Sequence, residues 1–177
     1  MTFKAREVLS DCRIALELLE EEKNMQKWRV HWAAAVALIR AVGHVLDKSD
    51  GCDPAVKNIA SNCYKEWKKP EPAHEIFREF IEKERNNILK EYQFGIHPME
   101  EVGVVVQLGL KSLTDGEELD AVQTVNIGDN IYRPMLGSYR EGDDARDVLS
   151  EAIEWWDCQL DMVDEEVAKI KINAQTL

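Results

Sequence analysis

Residues 27–48 read KWRVHWAAAVALIRAVGHVLDK, and their apolar positions cover nearly every side of a helix. They include two tryptophans, Trp28 and Trp32, and an almost unbroken apolar run from Ala33 to Ile39. A helix that is apolar nearly all round lies at the centre of a protein, because each of its sides must be covered by another element. This segment therefore predicts a helical bundle with the second helix at its centre.

Four other segments have the period of an amphipathic helix. The third helix is predicted to begin after Asp53, a typical N-cap, with Pro54 at its first position. The fourth is predicted to end at Gly95 and Pro98. The last has apolar residues at alternating steps of four and three, a seam that packs against helices of the same chain or of a partner. The first, fourth and last helices are predicted to span residues 4–23, 73–94 and 143–172.

Residues 101–141 break the helical pattern. Apolar and β-branched residues run from Val102 to Leu108, and Thr124 to Ile127 alternate toward a glycine. Residues 114–116 between them indicate a turn. The predicted fold is thus mainly α: an up-and-down bundle of four to five helices with a small β-hairpin before the last helix. We interpret residues 1–177 as a single helical domain in which 101–141 is a β-rich insertion.

The charge and composition exclude several classes of protein. The chain has 22 basic and 34 acidic residues, a net charge of −12, which disfavours broad DNA binding because such binding needs a cationic face. The residues at the N-terminus lack the apolar core of a signal peptide, and no run of about 18 apolar residues is present. We therefore expect a cytoplasmic protein without membrane contact. The cysteines (Cys12, Cys52, Cys63 and Cys158) are scattered, so no metal and no cofactor is predicted.

A polar line on the second helix is the first candidate site. Arg40 and His44 lie one turn apart, on the same side as Arg29 and the small Ala33. They could bind an anion or act as a proton-transfer pair. The alternative is that Arg40 and His44 form the solvent-exposed side of a largely buried helix, with Arg40 paired to a carboxylate.

The second candidate is the segment ERNNILKEY, residues 84–92, on the fourth helix. Arg85 falls inside an apolar stripe that extends from Phe77 to Tyr92. A guanidinium there needs a partner or solvent, because burying it alone is very costly. It is either paired with a carboxylate of another helix or directed at a phosphate, which its planar fork suits.

The run Arg85-Asn86, followed by Lys90 and Tyr92, resembles the signature of the HEPN family. These are small helical-bundle proteins of toxin–antitoxin and defence systems. In the family, an Arg and a polar residue precede a His by four to six positions, and in one branch a Tyr follows two residues later. The resemblance implies that Arg85 and the His position act on an RNA phosphodiester, with Arg85, Asn86 and Tyr92 in ligand binding.

The chain departs from that signature at Lys90, which occupies the position of the family's histidine. A histidine transfers protons near neutral pH, whereas a lysine, with an ordinary pKa of about 10.4, stays a fixed cation. Lys90 could hold a phosphate but is a poor base for a ribose hydroxyl. In an α-helix it would also lie about 140° around the axis from Arg85, so a site using both needs a second chain or another helix.

Two hypotheses follow. The first is a HEPN-like protein that binds a nucleotide or RNA, with Arg85 and Lys90 in the catalytic positions and an antitoxin or nucleotidyltransferase as partner. If it is an enzyme, the resemblance implies a metal-independent ribonuclease, and Lys90 argues against that activity. The second is a non-enzymatic scaffold that acts by association. For either, the uninterrupted seam predicts a homodimer through the fourth or the last helix.

Overall fold

The computed structural model describes residues 1–97, 101–111, 118–130, 132–137 and 139–175. Within these residues five helices form an up-and-down bundle, and an antiparallel hairpin precedes the last helix, so the predicted fold class is confirmed. The elements are α1 (Phe3–Glu21), α2 (Met25–Lys48), α3 (Pro54–Trp67), α4 (76–91), β1 (Glu101–Lys111), β2 (Glu118–Asp129) and α5 (Ala145–Gln175), with short 3-10 turns at Asp50–Cys52 and Pro72–His74.

Local capping signals fix where α2 and α3 begin. The Asn24 side chain accepts a hydrogen bond of 3.1 Å from the Lys27 amide, and the Asp53 side chain accepts one of 3.0 Å from the Ala55 amide. Each bond satisfies an amide that the first helical turn leaves without a backbone partner. Pro54 occupies the start of α3, as the sequence predicts.

Helix α2 is central, since it contacts each of the other four helices. Its side chains Trp28, Trp32 and Ile39 are fully buried, and the two indole rings stack with centroids 5.6 Å apart. One side of the helix nevertheless faces solvent, where Val30 is 63% exposed. By length and composition alone, the segment Met25–Cys52 would also be able to cross a membrane, a test that core helices of soluble proteins pass as well.

The apolar seam of α5 is used within the bundle. It packs against α1, α2, α3 and α4. Ile170, its last predicted member, is 43% exposed. The buried members are Leu149, Ile153, Trp156, Leu160, Val163 and Val167.

Trp155 belongs to an aromatic cluster of the bundle. Its ring centroid lies 5.4 Å from that of Trp67 and 5.4 Å from that of Phe77, and its Nε1 donates a 3.1 Å hydrogen bond to the Ala73 carbonyl. Trp155, which lies beside Trp156 of the α5 seam, is therefore packed against α3 and α4.

The acidic side of α5 is partly neutralised by α1. The Arg6 guanidinium lies 2.7 Å from Asp161 and 3.1 Å from Asp164, and Arg13 pairs with Asp157. Periodicity marks these carboxylates as exposed, but their arginine partners lie more than 140 residues away in the sequence. Only the packing of α1 beside α5 reveals the pairing.

The hairpin is anchored to the bundle at its base. A β-bridge joins Ile96 to Met135, and the Asn130 side chain donates hydrogen bonds of 3.0 Å to the carbonyls of Leu19 and Glu20, at the end of α1. Strands β1 and β2 pair along their whole length, with one bulge after position 102. The predicted turn at 114–116 and the predicted stop at Pro98 lie outside the described residues.

Candidate anion-binding site

Helix α4 is mostly π-helical around the HEPN-like motif. Residues Ile76–Glu82 and Asn87–Glu91 form π segments, and only Lys83–Asn86 between them is α-helical. π-Helical turns are rare in proteins and occur frequently at functional sites. Arg85 and Asn86 therefore lie on a single α-helical turn between two unusual segments, a feature that the α-helical period of the sequence did not predict.

Arg85 is half-buried at the edge of the bundle and does not lie inside the apolar stripe. Its Nη1 donates a 3.0 Å hydrogen bond to the Asn86 side chain. Among the described residues no carboxylate forms an ion pair with it. The Arg85 fork is thus held by an amide and still offers donors to a ligand.

Glu84, and not Arg85, is the buried polar residue of the stripe. It is 4% exposed, and its Oε1 accepts hydrogen bonds from the Trp32 indole, at 3.1 Å, and from the Gly95 amide, at 2.9 Å. Burial raises the pKa of the Glu84 carboxyl, and the two hydrogen bonds oppose this. Its spacing, three residues after Ile81 and four before Ile88, places Glu84 on the apolar side of the helix, although glutamate is rarely buried.

Arg40 is paired, as one of the two interpretations predicts. Its Nη2 lies 3.4 Å from Oε1 of Glu82 on α4, and Lys68 pairs with the other oxygen of the same carboxylate. The guanidinium also lies over the Phe77 ring, 5.7 Å from its centroid. Two cations, Arg40 and Lys68, thus share the carboxylate of Glu82.

His44 is linked electrostatically to both arginines. Burial lowers the pKa of its imidazole, and the charges of Arg40 and Arg85 lower it further, while Asp47 and Glu82 oppose the shift. The charges of Arg40 on α2 and Arg85 on α4 therefore act on the same imidazole, although the sequence predicts the three residues as parts of two separate candidates. We call the parts of α2 and α4 that carry these three residues the α2–α4 groove.

Tyr92 ends α4 and is exposed, contrary to its predicted place in the apolar stripe. Its backbone adopts a left-handed conformation, with φ 53°, which turns the chain out of the helix. The Tyr92 side chain is 69% exposed, and the Arg29 guanidinium lies 5.9 Å from its ring centroid and 5.7 Å from that of Phe94. A cation and two aromatic rings therefore lie together where α4 ends.

Lys90 is exposed and has no hydrogen bond or ion pair to another described residue. The π segment Asn87–Glu91 changes its relation to Arg85. A π-helix closes hydrogen bonds five residues apart and so has more residues per turn than an α-helix. Arg85 and Lys90, which are five residues apart, are therefore separated by a smaller angle around the helix axis than the 140° of an α-helix.

A cavity of about 520 Å³ opens beside Arg40 and His44. Residues of α3 form much of its wall, and sequence reasoning missed them because they are separate from the motif along the chain. Its rim is polar and its wall aromatic, which suits a planar ligand that carries an anionic group. The lining includes the cations Arg40 and Lys65, the carboxylate of Asp47, His44, and the aromatic residues Tyr64, Trp67 and Phe77.

Metal chemistry has no candidate site in the described part of the chain, where no group of three or more His, Cys, Asp or Glu side chains could hold an ion. All four cysteines are free thiols. Burial raises the pKa of Cys12 to about 12, so this thiol stays protonated.

Comparison with known proteins yields no relative: no family model matches the chain, and neither a curated protein nor a solved structure matches it. The HEPN resemblance therefore stays a prediction.

Proposed function

We propose that this protein binds a nucleotide or a short single-stranded RNA in the α2–α4 groove and the adjoining cavity. The observation that carries the proposal is Arg85, a half-buried guanidinium without a carboxylate partner among the described residues, whose charge reaches His44 next to Arg40. An arginine fork matches the geometry of a phosphate and forms bidentate, charge-assisted hydrogen bonds with it.

The distribution of charge supports the proposal. In a chain with a net charge of −12, exposed arginines find acidic partners easily, as Arg6, Arg13 and Arg140 do. Arg85 bonds an amide and Arg29 lies over aromatic rings, both beside the groove between α2 and α4. A local excess of cations on an acidic protein favours a small or single-stranded anion over broad duplex DNA.

The groove offers distinct roles for the predicted site residues. Arg85, positioned by Asn86, would hold a phosphate, and Lys90 would add a second fixed charge. Tyr92 would stack on a base, as exposed aromatic rings do in single-strand binding. His44, with its lowered pKa, is neutral at pH 7 and can accept a proton.

We propose that wild-type protein binds RNA without cutting it efficiently, because Lys90 replaces the titrating group that the family uses. As further proposals from the resemblance, the protein works in the cytoplasm with an antitoxin or a nucleotidyltransferase as partner. An interaction scaffold is the second candidate, and the exposed β-hairpin favours it.

Fluorescence anisotropy with a labelled short single-stranded RNA tests the proposal. Arg85→Ala should abolish binding while the circular dichroism spectrum stays that of wild type. Arg13→Ala, which removes the same charge from the α1–α5 surface, is the matched control and should bind like wild type. If Arg85→Ala binds as wild type does, or if wild type binds neither this RNA nor a nucleoside monophosphate, the proposal is wrong.

A further inference from the structure

Strands β1 and β2 form a two-stranded ribbon whose described side chains are uncovered. No helix packs extensively on it within the described part of the chain. Val105 is 65% exposed on β1 and Val122 is 68% exposed on β2, and among the described residues each strand pairs only with the other. An isolated two-stranded ribbon is marginally stable in water, and an apolar one invites a further strand.

The ribbon also lacks charge over most of its length. Residues 102–110 and 121–128 contain no charged side chain, although charged residues make up 32% of the chain. Natural proteins protect free strand edges with charges, prolines or bulges in the exposed strand. Here residues 102–110 of β1 contain neither a charge nor a proline, and the register shift after position 102 leaves the extra residue, Ile127, on β2.

We infer that β1 pairs antiparallel with β1 of a second copy, about a two-fold axis at Val106. In this register, position 101 lies opposite position 111 of the second copy. A glutamate then faces a lysine at both ends of the paired strands, and the positions between them are uncharged. Cross-strand pairs of opposite charge stabilise a sheet, and like charges directly opposite each other destabilise it.

The same pairing fails for β2. Its ends are Glu118 and Asp129, so a two-fold pairing over its full length would place an acid opposite an acid at both ends. The charges therefore select β1 as the self-complementary edge. They also select a second copy as the occupant, because the strand supplies its own complement.

Pairing of β1 with β1 yields a four-stranded sheet. Facing residues of an antiparallel pair lie on the same face, so Val104 and Val106 of both copies would share one face with Val125, which faces Val104 within the ribbon. The dimer would thus cover apolar surface that is open in a single chain. This inference does not depend on the α2–α4 groove or on any bound ligand.

The first test changes the charges at the ends of β1 and measures the oligomeric state of the full chain by sedimentation velocity. Glu101→Lys would place lysines opposite each other across the two-fold axis and should give monomers. Within the ribbon the same change places a lysine opposite Asp129, so the hairpin itself gains a favourable pair. The triple variant Glu101→Lys, Lys111→Glu and Glu118→Lys, which keeps a pair of opposite charges at positions 111 and 118 of the ribbon, should restore the dimer. A monomeric wild type, or dimers of Glu101→Lys as strong as those of wild type, would overturn the inference.

Cross-linking tests the register. In the proposed pairing, residue 106 lies opposite its own copy, with a Cα separation of about 4.5–5.5 Å that a disulfide can span. Val106→Cys, with the exposed Cys52 and Cys158 changed to serine, should form a disulfide-linked dimer under mild oxidation. Val122→Cys in the same background is the matched control and should stay monomeric in a non-reducing gel. Equal cross-linking of both variants would contradict the β1 register.

Discussion

The indole Nε1 of Trp32 donates a 3.1 Å hydrogen bond to Oε1 of Glu84, and both side chains are buried between α2 and α4. The Gly95 amide donates to the same oxygen. The Glu84 carboxyl on α4 therefore links that helix to α2 and to Gly95, which follows the end of α4. It forms no ion pair with another described residue, which is why burial raises its pKa.

Glu84→Gln should stabilise the protein at pH 7, because a glutamine keeps the carbonyl acceptor and removes the cost of a buried charge. The pKa of Glu84 is raised above its ordinary value of 4.5, so the folded state binds the proton more tightly. Proton binding by Glu84 therefore stabilises the folded state fully at a pH below the ordinary pKa of 4.5, and this stabilisation is lost as the pH rises through the folded-state pKa. Urea unfolding from pH 4.5 to 7.5 should show the advantage of Glu84→Gln growing with pH, while Glu91→Gln, at an exposed position of α4, serves as control. A constant difference would contradict this.

Gly95→Ala should destabilise the fold by roughly 1–3 kcal/mol, because a Cβ there would lie 2.5 Å from Oε2 of Glu84, a side chain that the bundle holds in place. The cost should fall in a Glu84→Ala background, since the clashing atoms are then absent. A double-mutant cycle from chemical unfolding measures this coupling. Additive effects of the two changes would mean that the glycine is required for another reason.

Ile39→Asp should unfold the bundle, because this side chain of α2 is fully buried and an unpaired charge in a core costs several kcal/mol. Leu38→Asp, one position earlier on the same helix, should cost less because Leu38 is only partly buried. Thermal melts followed by circular dichroism compare the two. Equal losses would show that the half-exposed side of α2 is covered in solution.

Lys90→His should give the protein an RNA-cleaving activity that rises as the new imidazole loses its proton near pH 7. The reason is that the substitution places a titrating group five residues after Arg85, at the position where the signature of the HEPN family has a histidine. Cleavage of labelled RNA should appear in this variant and disappear when Arg85→Ala is added. If Lys90→His binds RNA but does not cut it, the groove binds RNA without being arranged for this chemistry.

Part of the candidate site could be predicted from the sequence. Arg40, His44 and Arg85 stand out locally, since each interrupts an apolar pattern of its own helix. Their common location could not be predicted, because it depends on how α2 packs against α4. The aromatic wall from Trp67 and the buried Glu84 were missed for the same reason: their partners belong to other helices.

The sequence by itself determined the order of the elements, the central place of α2 and the capped start of α3 at Asp53. These follow from periodicity, capping residues and turn residues, which act over a few positions along the chain. Only the tertiary structure decided that Glu84 is buried, that the seam of α5 is filled within the chain and that the edge of β1 is free. Burial and pairing depend on which distant segment lies alongside, and a local pattern does not specify its neighbour.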